Sequence, residues 1–168
     1  GAPAVPLIEG TIGVYFDNVC ANYAIHEALV SRRQDDRLTY GELKRRVDAV
    51  ACSLMRLGLE KGDRVAIWSQ NNVEWLLTQY ATAKAGLVLV NINPAYRCAE
   101  LEYAINKVGC RALILSPAFK TSNYIEMVED LAPELKSAAP GALKAAKLPT
   151  LQWVIRMGDA RTPSMLNF

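Results

Sequence analysis

The stretch RVAIWSQNNVEWLLTQYATAKAGLVLVNINPAYRCAELEYAINKVGCRALIL, residues 64–115, decides the fold. It alternates strand and helix. Residues 64–68 form a short apolar strand. Asn71 caps the next helix with Glu74 at N3, and residues 73–85 are apolar around most of their circumference, so the helix is expected to be buried on more than one side. Gly86 stops it, and 87–90 is a continuous apolar run, the pattern of a strand covered on both faces. Residues 99–108 place Leu101, Ala104, Ile105 and Val108 on one helical face, Gly109 ends that helix, and 112–115 is the next strand.

Upstream, Thr39 and Glu42 have capping-box spacing, and Leu43, Val47, Val50, Leu54 and Leu57 follow on one face until Gly58. Residues 12–20 read as a short helix and 27–31 as a strand, paired with 38–40 as a small antiparallel ribbon. Downstream, a helix over 121–131 stops at Pro133, residues 137–149 read as a loop, and 151–157 as a last strand. Helices alternating with buried strands predict an α/β fold: an open, mostly parallel sheet with helices on both faces. The expected organisation is one subdomain over 1–168, with an arm at 1–10, a core at 11–136, a loop at 137–149, and the last strand and tail at 150–168.

With 51% hydrophobic and 21% charged residues the chain has the composition of an ordinary globular domain rather than a disordered one. The net charge is +2, and the densest basic cluster, Lys44-Arg45-Arg46, reads as a solvated helix face, so nucleic acid is not an expected partner. Cys20, Cys52, Cys98 and Cys110 form no CxxC pair and His26 is the sole histidine, so no metal site is expected. Cys52 and Cys110 read as small buried hydrophobes, and reduced thiols suit a cytoplasmic setting. No apolar run is long enough to span a membrane.

In open parallel sheets ligands sit beyond the carboxyl ends of the strands. Those outlets are residues 69–72, 91–97 and 116–120. The second is polar, carries a proline and runs into a helix, so Arg97 stands where amide dipoles favour an anion. Arg97 either contacts a phosphate or pairs with a carboxylate such as Glu100. Trp68 and Trp75 read as core, Asn71 and Asn72 as caps, and His26 as structural or exposed. The sequence carries no GxGxxG after a strand, no GxxxxGK[ST] and no GxSxG.

The runs LTYGEL (38–43), LGLEKGDRV (57–65), AKAG (83–86) and NINPAYR (91–97) followed by ELEY (100–103) resemble, in order and spacing, the adenylate-forming enzymes. Within that family the wording of 68–114 is most similar to the medium- and long-chain fatty acyl-CoA synthetases. The resemblance implies the N-terminal segment of an AMP-forming ligase. Such an enzyme uses ATP, Mg2+ and CoA: a fatty acid attacks the α-phosphate, giving acyl-AMP and pyrophosphate, and the CoA thiol then takes the acyl group and releases AMP. It also implies that the phosphate-loop subdomain and the C-terminal lid domain are absent here. The segment alone is then inactive, with no catalytic residue or metal ligand of its own and no bound cofactor. Arg97 becomes a CoA-phosphate contact, and Asn93 and Tyr96 become cleft-lining residues. Expected partners are fatty acid, CoA and the remaining subdomains, and the isolated segment is expected to self-associate. The alternative is a stand-alone α/β binding or interaction module; a third reading is a flavodoxin-like nucleotide-binding domain.

Overall fold

A computed structural model describes residues 7–168 of the chain. Of the arm expected at 1–10, residues 1–6 lie outside the described residues, and 7–10 are exposed without regular structure. Helix α1 (Ile12–Asn22) is capped by the Thr11 hydroxyl, which accepts from the Val14 N–H at 3.3 Å. Strands β1 (Glu27–Ser31) and β2 (Asp36–Thr39) form the antiparallel ribbon. Helix α2 (Tyr40–Arg56) starts at the expected capping box: the Glu42 N–H donates to the Thr39 hydroxyl, and the Glu42 carboxylate accepts the Thr39 N–H at 2.9 Å.

Then come β3 (Arg64–Trp68), α3 (Val73–Ala85), β4 (Val88–Ile92), α4 (Cys98–Val108) and β5 (Cys110–Leu115). Both interior helices end on a glycine in the left-handed region, Gly86 at φ 72° and Gly109 at φ 65°. A two-residue ribbon, β6 (Ala118–Phe119) with β7 (Ser122–Asn123), precedes α5 (Tyr124–Leu131) and a 3-10 turn, Pro133–Lys136. Strands β8 (Trp153–Arg156) and β9 (Leu166–Asn167) complete the sheet.

The main sheet has the order β4-β3-β5-β8-β9, and every neighbouring pair is parallel. Strand alternation sorts the core into two layers. Val65, Ile67, Ala112, Ile114 and Ile155 face α1, α2 and α3; Ala66, Trp68, Leu113, Leu115 and Val154 face α4, α5 and the 137–149 stretch. Each fully buried aliphatic chain in these layers contributes about 1.5–3 kcal/mol relative to exposure. Three helices are held together on the first face by the Lys84 ammonium, 2.5 Å from both Asp17 on α1 and Asp48 on α2. Burial alone would raise the Asp48 carboxyl, but the hydrogen bonds from Lys44 and Lys84 outweigh it and hold its pKa below the ordinary value.

Several expectations need correction. The cap of α3 is Asn72, whose Oδ1 accepts the Trp75 N–H at 2.8 Å, so Glu74 stands at N2. Among the described strands β4 lies at the sheet edge with β3 as its one neighbour, and Val88 is 47% exposed. An apolar run does not distinguish an edge strand from a central one, since order in the sheet is set by non-local pairing. Helix α5 begins three residues later than expected because Asn123 caps it after the β6–β7 ribbon. Cys52 is exposed, since the buried stripe of α2 runs through Leu43, Val47, Ala51 and Leu54, while Cys110 is buried. Trp68 is fully buried, Trp75 half-buried, and His26 exposed.

Candidate functional site

The strand order creates a crevice. From β3 the chain moves to β4 on one side; after β4 it crosses β3 to reach β5 and continues to β8 on the other side. The connections leaving β3 and β5 therefore part, and the gap between them at the carboxyl ends is where such sheets take ligands. The two outlets are pinned together. The Ser116 N–H donates to the Trp68 carbonyl at 3.1 Å, and the buried Ser69 and Ser116 hydroxyls lie 2.5 Å apart. The Asn72 amide donates to the Ser69 hydroxyl at 2.8 Å, so this asparagine caps α3 with its oxygen and braces the crevice with its nitrogen.

The second outlet, 93–97, is a tight polar turn. Asn93 Oδ1 accepts the Ala95 N–H at 2.9 Å and the Asn93 carbonyl accepts the Tyr96 N–H at 3.0 Å. Asn93 is exposed but its side-chain oxygen is occupied by its own turn; Tyr96 is half-buried against the α4–α5 core layer. The Arg97 backbone N–H donates to the Glu100 carboxylate at 2.8 Å, while its guanidinium turns away and donates to the Ser122 hydroxyl at 2.7 Å. Glu100 is thus a helix cap and not the partner of the Arg97 charge. Among the described residues no carboxylate lies within 4 Å of that guanidinium.

Ser122 brings Arg97 to the β6–β7 ribbon, and two further cations lie beside it, one on the ribbon and one at the end of β8. Lys120 sits at its tip with φ 52°, exposed. Arg156, at the end of β8, is only 8% exposed; its Nη1 donates to the Thr162 hydroxyl at 2.9 Å and its Nε to the Met157 carbonyl at 3.4 Å. Lys120, Ser122, Asn123, Arg156 and Thr162 line one shallow pocket of about 440 Å3. Neither Lys120 nor Arg156 has a carboxylate within 4 Å among the described residues. Three cations without acidic partners, interleaved with hydroxyl and amide donors, are suited to a phosphate group.

Sequence reading singled out Arg97 and missed Lys120 and Arg156. The available signal for Lys120 was its place in the expected outlet loop 116–120; Arg156 fell inside the strand expected over 151–157, so nothing marked it as an outlet residue. The described residues hold no cluster of acidic, histidine or cysteine side chains suited to a metal, and no helix is long and apolar enough to cross a membrane.

The mitochondrial medium-chain acyl-CoA ligase ACSF2 of Bos taurus is 43% identical over 166 residues, covering 99% of this chain and 27% of the relative. The Homo sapiens protein of the same name is 44% identical over 156 residues, covering 93% and 25%. The putative acyl-CoA synthetase YngI of Bacillus subtilis (strain 168) is 38% identical over 162 residues, covering 96% and 30%. The chain therefore spans between 25% and 30% of the length of these relatives. Among solved structures, the anthranilate CoA ligase AuaEII in complex with anthranoyl-AMP superposes with a TM-score of 0.77 at 20% identity, covering 99% of this chain and 28% of that one, a likeness of fold. The profile of the family described as "AMP-binding enzyme" matches residues 16–166, and the chain belongs to that family.

Proposed function

We propose that this chain is the N-terminal α/β part of an AMP-forming acid–thiol ligase. In the whole enzyme a fatty acid carboxylate attacks the α-phosphate of ATP, pyrophosphate leaves, the CoA thiol attacks the acyl carbonyl, and AMP departs. The observation that carries the reading is that Lys120 and Arg156 line one pocket at the strand outlets and Arg97 is hydrogen-bonded to Ser122 of the same pocket, with no carboxylate within 4 Å of any of the three among the described residues. The names of the ACSF2 and YngI relatives supply the reaction class. On this reading the cations hold phosphates of CoA, with Asn93 and Tyr96 shaping the wall beside them. On this reading the whole enzyme also uses ATP and Mg2+. Its four free thiols suit a reducing compartment, the cytoplasm on this reading, although the ACSF2 relatives are named as mitochondrial.

The test compares the 168-residue chain with the full-length protein, each given ATP, Mg2+, CoA and medium- to long-chain fatty acids. Mass spectrometry is expected to find acyl-CoA from the full-length protein and none from the segment. Acyl-CoA made by the segment, or none made by the full-length protein, would sink the reading and favour a stand-alone binding module.

Exposed apolar surface supports self-association of the segment. Leu7, Ile8, Ile12 and Tyr15 are all more than half exposed, and an apolar groove of about 390 Å3 lies between α2 and β8–β9, lined in part by Val50, Leu54, Ile155, Leu166 and Phe168. Light scattering from the 168-residue chain should give a mass that rises with concentration; a constant monomer mass would remove this expectation.

A further inference from the structure

Tyr124, the first residue of α5, touches two strand outlets and the last residue of β3. Its backbone N–H donates to the Pro117 carbonyl at 3.0 Å, at the start of the β6–β7 ribbon. Its hydroxyl donates to the Pro94 carbonyl at 2.5 Å, in the turn that leads to Arg97. Its ring stacks on Trp68, the last residue of β3, with centroids 3.6 Å apart and planes 10° from parallel. Trp68 in turn donates its indole N–H to the Asn93 carbonyl at 3.1 Å. Two stacked, fully buried rings therefore hold two consecutive carbonyls of the second outlet while one of them anchors the third.

Burial pushes the Tyr124 phenol up to about 12, so it stays a neutral donor across the working pH range. Core packing alone would be served by phenylalanine, since a buried phenol needs a partner and its ring does not. A polar atom has been placed where its one contact is a loop carbonyl.

We propose that Tyr124, with Trp68, is a positioning residue that fixes the 93–97 turn relative to the β6–β7 ribbon, and so sets the spacing of the Arg97 and Lys120 charges for a phosphate-bearing ligand. Fixing that spacing matters because Arg97 and Lys120 are long, exposed side chains on separate loops, and rotamer freedom must be lost when both meet one ligand. A rigid base removes the backbone share of that loss. The inference deepens the CoA-phosphate reading and rests on it.

The test has two arms. In the 168-residue chain, Tyr124→Phe keeps the stacked ring and deletes the hydroxyl. Hydrogen exchange at the Ala95 and Tyr96 amides should speed up about fivefold, the scale of one modest hydrogen bond, while the Leu113 amide in the sheet is unaffected. Trp68→Phe, which removes the indole donor and retains an aromatic ring, should give the same local pattern and serves if Tyr124→Phe does not fold. In the full-length protein, Tyr124→Phe should raise KM for CoA about fivefold against a change of less than twofold in KM for the fatty acid. Exchange unchanged at 95 and 96, or accelerated throughout the sheet, overturns the positioning role. A raised KM for CoA in Arg97→Ala with none in Tyr124→Phe also overturns it. Unchanged KM for CoA in Arg97→Ala, with exchange still locally accelerated in Tyr124→Phe, instead overturns the ligand assignment.

Discussion

Gly141→Ala is expected to lower the stability of the chain by about 2–4 kcal/mol, combining left-handed strain with overpacking. Gly141 adopts φ 82°, and a Cβ there would sit 2.2 Å from Cη2 of Trp153 and within 2.7 Å of two more ring atoms. Relief requires moving either an indole at the start of β8 or a turn whose neighbours Leu143 and Leu148 are buried in the core. Gly58→Ala provides the control. Gly58 also has positive φ, 79°, but an added Cβ would meet nothing within 4 Å, so only backbone strain of about 1 kcal/mol is expected. Urea denaturation of both variants separates the two costs. Equal midpoints would show that the 137–149 stretch yields freely and is not the packed layer described above.

That stretch also marks where sequence reading stopped. Its alanines, prolines and lysines read as a loop, and regular secondary structure is indeed missing from 137–149, yet Leu143, Ala145 and Leu148 are buried in the layer under α4 and α5. Nothing local says which side of a loop faces a sheet. The start of α2 and the stops of α3 and α4 were legible because their chemistry is local: Thr39 and Glu42 lie three residues apart, and Gly86 and Gly109 adopt a conformation that other residues resist. The parallel sheet followed from that alternation. The edge position of β4 did not, since its neighbours come from residues 64–68 on one side and from no described strand on the other.

The candidate site divides the same way. Arg97 was visible because it ends a polar loop and opens a helix within a single stretch. The partners that give it meaning come from 25 and 59 residues further along, Ser122 by a hydrogen bond and Arg156 by the pocket that Ser122 also lines. The choice between a phosphate and Glu100 for Arg97 was likewise undecidable from spacing. Glu100 at N3 is placed for a carboxylate cap whichever way the guanidinium turns, and only the fold shows it turning to the ribbon.

Arg97→Ala in the full-length protein is expected to raise KM for CoA by about 10- to 100-fold, the loss of one charge-assisted contact to a phosphate worth about 1.5–3 kcal/mol. Lys120→Ala should cost less, about three- to tenfold, because an ammonium makes a point contact where guanidinium makes a fork. Both side chains are exposed, so the penalty must shrink with added salt as the cations are screened over about 8–10 Å. Arg97→Lys distinguishes charge from geometry: recovery of more than half the lost affinity points to simple attraction, and failure to recover points to bidentate binding. The double variant completes a cycle, and a cost smaller than the product of the single effects places both cations on one phosphate, whereas a multiplicative cost places them on separate groups of the ligand. KM for CoA unmoved by either single variant, measured with saturating ATP and fatty acid at low salt, would remove CoA from this face. The charges of Arg97 and Lys120, which have no carboxylate within 4 Å among the described residues, would then call for a different anion.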